Sequence, residues 1–127
     1  SSFHNHKFPL LHNAMKINEG LPKFIIKKLS ENNNLQKKTV GILGVTFKAE
    51  NDDIRDSLSI KLIKYLKDKK IRTLYSDEFY KNKNNLSKDV LIKKSDIIII
   101  ATPHKAYKNI KINKKKMLVD IWGLIEK

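Results

Sequence analysis

An open parallel α/β sheet with helices on both faces, preceded by a long amino-terminal helix, is the fold that this sequence predicts. Three observations lead there. Short apolar runs of strand length alternate with stretches of helical period, which argues for a parallel sheet with right-handed crossovers. One of these runs holds four consecutive isoleucines, Ile97, Ile98, Ile99 and Ile100. That is too apolar for a strand with one wet face and suits one covered on both. Another run, residues 39–46, carries Gly41 and Gly44 and leads through a polar loop into a helical pattern, and ligands bind at such strand ends in open α/β sheets.

The elements follow in chain order. Residues 1–7 read as a ragged start at a cut boundary. His4 and His6 flank Asn5 at a spacing that suits a metal, but no carboxylate accompanies them and we expect no metal site there. Over residues 8–29, Leu10, Ala14, Ile17 and Leu21 recur at helical spacing, and Leu11, Met15, Phe24 and Ile25 widen the stripe. Gly20 and Pro22 interrupt it. Proline inside a helix removes a hydrogen bond and clashes with the preceding turn, so the pattern gives either a kinked long helix or two helices meeting near Gly20. The asparagine-rich residues 31–38 form a linker or turn. The first strand covers residues 39–46. Asp53 with Asp56 has the spacing of a capping box, and a helix is expected over residues 54–69, with Leu58, Leu62, Ile63, Tyr65 and Leu66 on its apolar face. A second strand covers residues 71–75 and ends near Ser76 and Asp77. Residues 79–87 are polar loop and residues 89–94 a short helix. The third strand covers residues 96–101, Thr102, Pro103 and His104 end it, and one helical turn over residues 105–109 follows. The fourth strand covers residues 117–121. The first strand should be central, between the second and third, because open sheets reverse direction at a ligand crevice. The whole is Rossmann-like.

At 127 residues the chain is long enough for one core. An apolar share of 40% and a charged share of 31% suit a soluble globular protein. No apolar run reaches the roughly 20 residues of a membrane span, and no signal peptide is visible; we expect a cytoplasmic protein without membrane contact. Cysteine is absent, which excludes disulfides and thiol catalysis by this chain alone. The net charge of +14 invites a nucleic-acid reading. Two facts weigh against it. Arg55 and Arg72 are the only arginines, although arginine is the residue suited to reading phosphates and bases. The abundance of lysine, asparagine and isoleucine also reflects compositional bias, which coats a surface with lysine for no nucleic-acid function. The charge still favours an anionic ligand.

The polar loop after the first strand holds the candidate site. Lys48, just past the strand, is placed to reach a phosphate or sugar oxygen as a point charge; the alternative is an ordinary surface lysine. Arg55 lies near a helix start, where the dipole disfavours a cation, so it needs a carboxylate partner (Asp52, Asp53 or Asp56) or a ligand. Gly41-x-x-Gly44 is not the Gly-x-Gly-x-x-Gly dinucleotide fingerprint, and tight strand–helix packing explains such glycines equally well. His104 at a strand end has the chemistry of a general base, but we read it as a hydrogen-bonded structural histidine.

Taken together, Gly44, Phe47-Lys48, Asp52-Asp53, Arg55 and Ser57 spell Gly-x-x-Phe-Lys, four residues, Asp-x-Arg-x-Ser. This resembles the carboxy-terminal, UDP-binding domain of the UDP-glucose/GDP-mannose dehydrogenase family of NAD-dependent nucleotide-sugar dehydrogenases. The resemblance runs through essentially the whole chain and covers about the last third of such an enzyme. It implies that Phe47 and Lys48 contact the nucleotide sugar, that Arg55 reaches NAD bound mainly by an amino-terminal domain, and that the parent enzyme oxidises the C6 alcohol of a UDP- or GDP-sugar to the uronic acid. It also implies residues 1–37 as the end of the central dimerisation or linker helix region, residues 38–127 as the nucleotide-sugar-binding domain, and a homodimer of the full-length protein. The family's catalytic cysteine and amino-terminal NAD motif are not in this sequence, so no catalytic residue is assigned and the fragment alone is expected to be inactive. Asp77 matches the family's Asp-Pro, with Glu78 in place of the proline; Ala49 and Leu58 also replace common prolines. After the fourth strand, Trp122 and Gly123 stand where many members have a nucleotide-binding arginine. Trp122 either stacks on a base or packs into the core, and the nucleotide's identity stays open. Two other readings compete: a lysine-rich nucleic-acid-binding α/β module, and a free-standing Rossmann-like interaction domain.

Overall fold

In the computed structural model, the structure describes residues 5–6, 20–31, 33–46, 57–80, 83–121 and 124. The parallel sheet contains β1 (Asn5–His6), β2 (Thr39–Leu43), β3 (Arg72–Ser76), β4 (Ile97–Ile100) and β5 (Met117–Asp120) in the order β1-β5-β4-β2-β3. Every pairing is parallel. As expected, β2 lies between β3 and β4, with Gly41 level with Leu74 on one side and Ile98 on the other. The four main strands match their expected positions to within three residues at their ends. The edge strand β1 was not expected: residues 1–7 read as a ragged start, yet Asn5 and His6 pair with Leu118 and Val119. A two-residue strand carries too little pattern to be seen in sequence.

Side-chain alternation divides the core in two. Val40, Ile42, Ile97, Ile99 and Val119 share one cluster with α1 (Gly20–Ser30) and α2 (Leu58–Asp68). Leu43, Ile98, Ile100 and Leu118 share the other with Leu91 of α3 (Lys88–Lys94) and with Tyr107. The period-2 pleat sends successive isoleucines of β4 to opposite faces, so the run is buried throughout. Each such side chain contributes about 1.5–3 kcal/mol relative to exposure. The crossover from β2 to β3 uses α2, and the crossover from β3 to β4 passes back over β2 using α3. The chain therefore reverses direction between β2 and β4, and the two helices fall on opposite faces.

The helix termini refine the sequence reading. In α1 the buried stripe is Pro22, Ile25, Ile26 and Leu29, with Lys23, Lys27 and Lys28 exposed; residues 8–19, which carry the rest of the expected long helix, lie outside the described residues. The expectation that α2 starts at residue 54 under an Asp53 capping box is corrected. Ser57 is the cap, with extended φ and ψ of −68° and 136°, and its side chain accepts from the Ile60 amide. That hydroxyl satisfies an N–H that the helix leaves unpaired. Asp53 and Asp56 lie outside the described residues.

At the other end of α2, the Lys70 amide donates to the Lys67 carbonyl and the Ile71 amide to the Leu66 carbonyl, both at 3.0 Å. This is the Schellman arrangement, and it places Lys70 at φ 64°. A lysine pays a steric penalty there that glycine avoids. Lys70→Gly is expected to stabilise the protein by about 0.5–1 kcal/mol after the glycine's own entropy loss. Urea unfolding should show a raised midpoint at unchanged slope, and a lowered midpoint would contradict the motif.

Candidate functional site

The carboxyl ends of β2, β3 and β4 converge where the sheet reverses, and the chain leaving β2 is held there from three directions. The Gly44 amide donates to the Ser76 carbonyl at 2.8 Å. The Gly44 carbonyl accepts from the hydroxyl of Ser59, in the first turn of α2. The Val45 and Thr46 amides both donate to Oδ2 of Asp77, at 2.7 and 3.1 Å. The Thr46 carbonyl accepts from the Thr102 hydroxyl at 2.7 Å. Beyond Leu43 the backbone has left the strand ladder, so its polar groups need other partners once buried. The ends of the two neighbouring strands and α2 supply them.

Asp77 is the centre of this network. It is fully buried. Besides the two β2 amides it accepts from the Phe79 amide on Oδ1 at 2.7 Å and lies 2.8 Å from Nε2 of His104 on Oδ2. Burial pushes its carboxyl up. The hydrogen bond from His104, the Phe79 and Val45 amides and the charge interaction with His104 outweigh that, and the net direction is below the ordinary carboxylate value. An ionised carboxylate can only accept, so Nε2 of His104 carries a proton. The same nitrogen is 3.1 Å from the Thr46 hydroxyl. The His104 ring is fully buried between Phe79, at 4.7 Å between centroids, and Tyr107, at 5.5 Å. Asn85 braces the other side. Its Oδ1 accepts from the Asp77 amide at 2.6 Å, and its Nδ2 donates to the carbonyls of Asp77 and Tyr80. The histidine is hydrogen-bonded, as expected. Asp77 was noted only as a motif match, and its role was missed because its partners lie about 30 residues away on either side in sequence.

Both glycines of the β2 run serve packing. A Cβ on Gly41 would lie 2.2 Å from Oγ of Ser95 and 2.6 Å from Cδ2 of Leu91, against the end of α3. Gly44 has φ +91° and presses against Thr102. At each of them an added side chain would meet packed protein rather than open space. The described residues contain no group of three or more histidine, cysteine or acidic side chains that could hold a metal. Phe47, Lys48 and Arg55 lie outside the described residues, as do Asp52 and Trp122. The described chain ends its exit from β2 at Thr46, the residue before Phe47 in the sequence.

An open parallel sheet whose inner strand β2 ends in a buried, polar-pinned exit at the reversal point defines an α/β domain of the Rossmann-like class. Comparison places it. Residues 41–127 match the family described as the UDP-glucose/GDP-mannose dehydrogenase family, UDP binding domain, and the chain belongs to that family. It is 33% identical over 107 residues to the UDP-N-acetyl-D-mannosamine dehydrogenase of Methanocaldococcus jannaschii, covering 79% of this chain and 24% of that protein. It is 32% identical over 106 residues to the UDP-glucose 6-dehydrogenase of Rickettsia bellii, covering 73% and 24%. The solved UDP-D-ManNAc dehydrogenase of Pyrococcus horikoshii superposes with a TM-score of 0.75 at 23% identity, over 92% of this chain and 33% of that one, which supports the fold. The chain thus spans about a quarter of the length of the curated relatives it matches.

Proposed function

We propose that this chain is the nucleotide-sugar-binding part of an NAD-dependent nucleotide-sugar 6-dehydrogenase, which oxidises the C6 alcohol of a UDP- or GDP-sugar to the carboxylate. The observation that carries the reading is the family match over residues 41–127, joined to a β2 exit fixed at the reversal point of the sheet. Residues 38–127 are the substrate domain and residues 1–37 the end of the central helix region that contributes to a homodimer. Phe47 and Lys48 bind the nucleotide sugar, and Arg55 contacts NAD held mainly by another domain of the enzyme. This chain contributes no catalytic residue: its sequence has no cysteine to form a thiohemiacetal and no Gly-x-Gly-x-x-Gly dinucleotide motif. The setting is cytoplasmic; no helix among the described residues is long and apolar enough to cross a membrane. The nucleic-acid alternative finds no support in the fold or the family.

The test is a screen of UDP-glucose, UDP-N-acetylmannosamine and GDP-mannose against the full-length protein, following NADH formation. One of the three is expected to be turned over, with two NAD reduced per sugar, and the 127-residue chain alone is expected to turn over none. NADH formation by the purified chain alone would sink the assignment, as would a silent full-length protein that binds none of the sugars.

A further inference from the structure

We propose that Asp77 and His104 act as a positioning pair for nucleotide-sugar binding, working through the Val45 and Thr46 amides to fix the direction in which the chain leaves β2. The inference rests on the reading of Lys48 as a substrate contact.

The geometry singles out these two residues. Oδ2 of Asp77 takes both consecutive amides at the β2 exit, and the His104 Nε2–H occupies the same oxygen. Two adjacent peptide planes are thus oriented by one atom, and one imidazole sets the position of that atom. Thr46 is then clasped on three sides. Its amide is on Asp77, its hydroxyl is 3.1 Å from His104, and its carbonyl is on Thr102. The network is completely buried, where a hydrogen bond to a charged group is stronger than in water and harder to replace. No other buried histidine–carboxylate pair occurs among the described residues. A pair used only for stability could lie anywhere in the core. This one holds the amide of Thr46, the residue that precedes Phe47 in the chain, and both carboxylate oxygens are committed. An amide in place of the carboxylate would set an NH2 group against N–H donors on one side or the other.

The inference is tested in the full-length enzyme with two replacements of one residue. His104→Phe keeps a ring between Phe79 and Tyr107 and removes the donor. His104→Gln removes the ring and keeps an N–H that can reach Asp77. Positioning predicts that His104→Phe raises KM for the nucleotide sugar by about tenfold to a hundredfold, the scale of a misplaced binding group, with kcat and the KM for NAD nearly kept. His104→Gln should restore most of the sugar KM. Asp77→Asn should behave like His104→Phe. In parallel, hydrogen exchange at the Val45 and Thr46 amides should accelerate in His104→Phe more than at the β4 amides. Thr102→Val is a milder second probe, since it deletes only the bond to the Thr46 carbonyl; it should also raise the sugar KM. A purely structural pair predicts instead that His104→Phe and His104→Gln lower the melting temperature while leaving both KM values intact, and that outcome overturns the inference. Unchanged exchange at Val45 and Thr46 in His104→Phe overturns it too. A parent enzyme that binds neither UDP nor GDP by calorimetry overturns the functional reading and takes this inference with it. A parent that binds while His104→Phe keeps its sugar KM overturns the inference alone.

Discussion

Replacing Gly44 by alanine is expected to destabilise the protein by about 2–6 kcal/mol. Two independent penalties add. At φ +91° an L side chain is strained, which costs about 1–3 kcal/mol. The new Cβ would also sit 2.4 Å from Cβ of Thr102 and 2.9 Å from its amide nitrogen and carbonyl oxygen. Relief of that overlap by shifting a packed backbone costs about 1–3 kcal/mol more. The neighbours cannot easily give way. The Thr102 amide lies 3.3 Å from the Leu43 carbonyl, and its hydroxyl is bonded to Thr46. Against a typical total of about 5–15 kcal/mol, the loss would leave a marginal fold. Urea unfolding of the variant beside the parent measures it. Thr102→Gly in the same chain should recover only part of the loss, because the contacts with the Thr102 backbone and the strained φ both remain. A Gly44→Ala variant within about 1 kcal/mol of the parent would show that the β2 exit is far more yielding than this packing implies.

In the full-length enzyme, Lys48→Ala is expected to lower kcat/KM for the nucleotide sugar by about tenfold to a hundredfold, through the loss of one charge-assisted hydrogen bond worth about 1.5–3 kcal/mol. Arg55→Ala is expected to raise the KM for NAD more than the KM for the sugar. The reasoning starts from charge and place. Lys48 follows Thr46 by two residues in the sequence, just past the end of β2. Arg55 precedes the Ser57 cap of α2 by two residues, where the helix dipole favours anions. A cation placed there needs a compensating partner. If that partner is only Asp52, Asp53 or Asp56, Arg55→Ala should lower stability by less than about 1 kcal/mol and leave both kinetic constants intact. Steady-state kinetics with each ligand varied in turn separates these cases. Equal effects of both variants on both ligands would show that the two residues do not divide the ligands between them.

The isoleucine run, the alternation of strands with helical stretches and the glycine-bearing strand were readable because burial and pleat leave a local mark on composition. They placed four strands and α3, and the family motif pointed to the β2 exit. The start of α2 was misread because Asp53 with Asp56 has the spacing of a capping box, and spacing does not show which side chain reaches a free amide. The hydrogen bond from the Ile60 amide to Ser57 does. The two-residue strand β1 is beneath the length at which alternation is detectable, and only its pairing with β5 defines it.

By itself the sequence determined the fold class, the place of β2 between β3 and β4, the family and the lack of cysteine, because each is written in residue type and short-range spacing. Only the tertiary structure decided what holds the exit of β2. The carboxylate of Asp77, the imidazole of His104 and the amides of Val45 and Thr46 come from the ends of three different strands. Residues so far apart in the chain leave no shared periodicity, and they become one network only when parallel pairing brings the strand ends side by side.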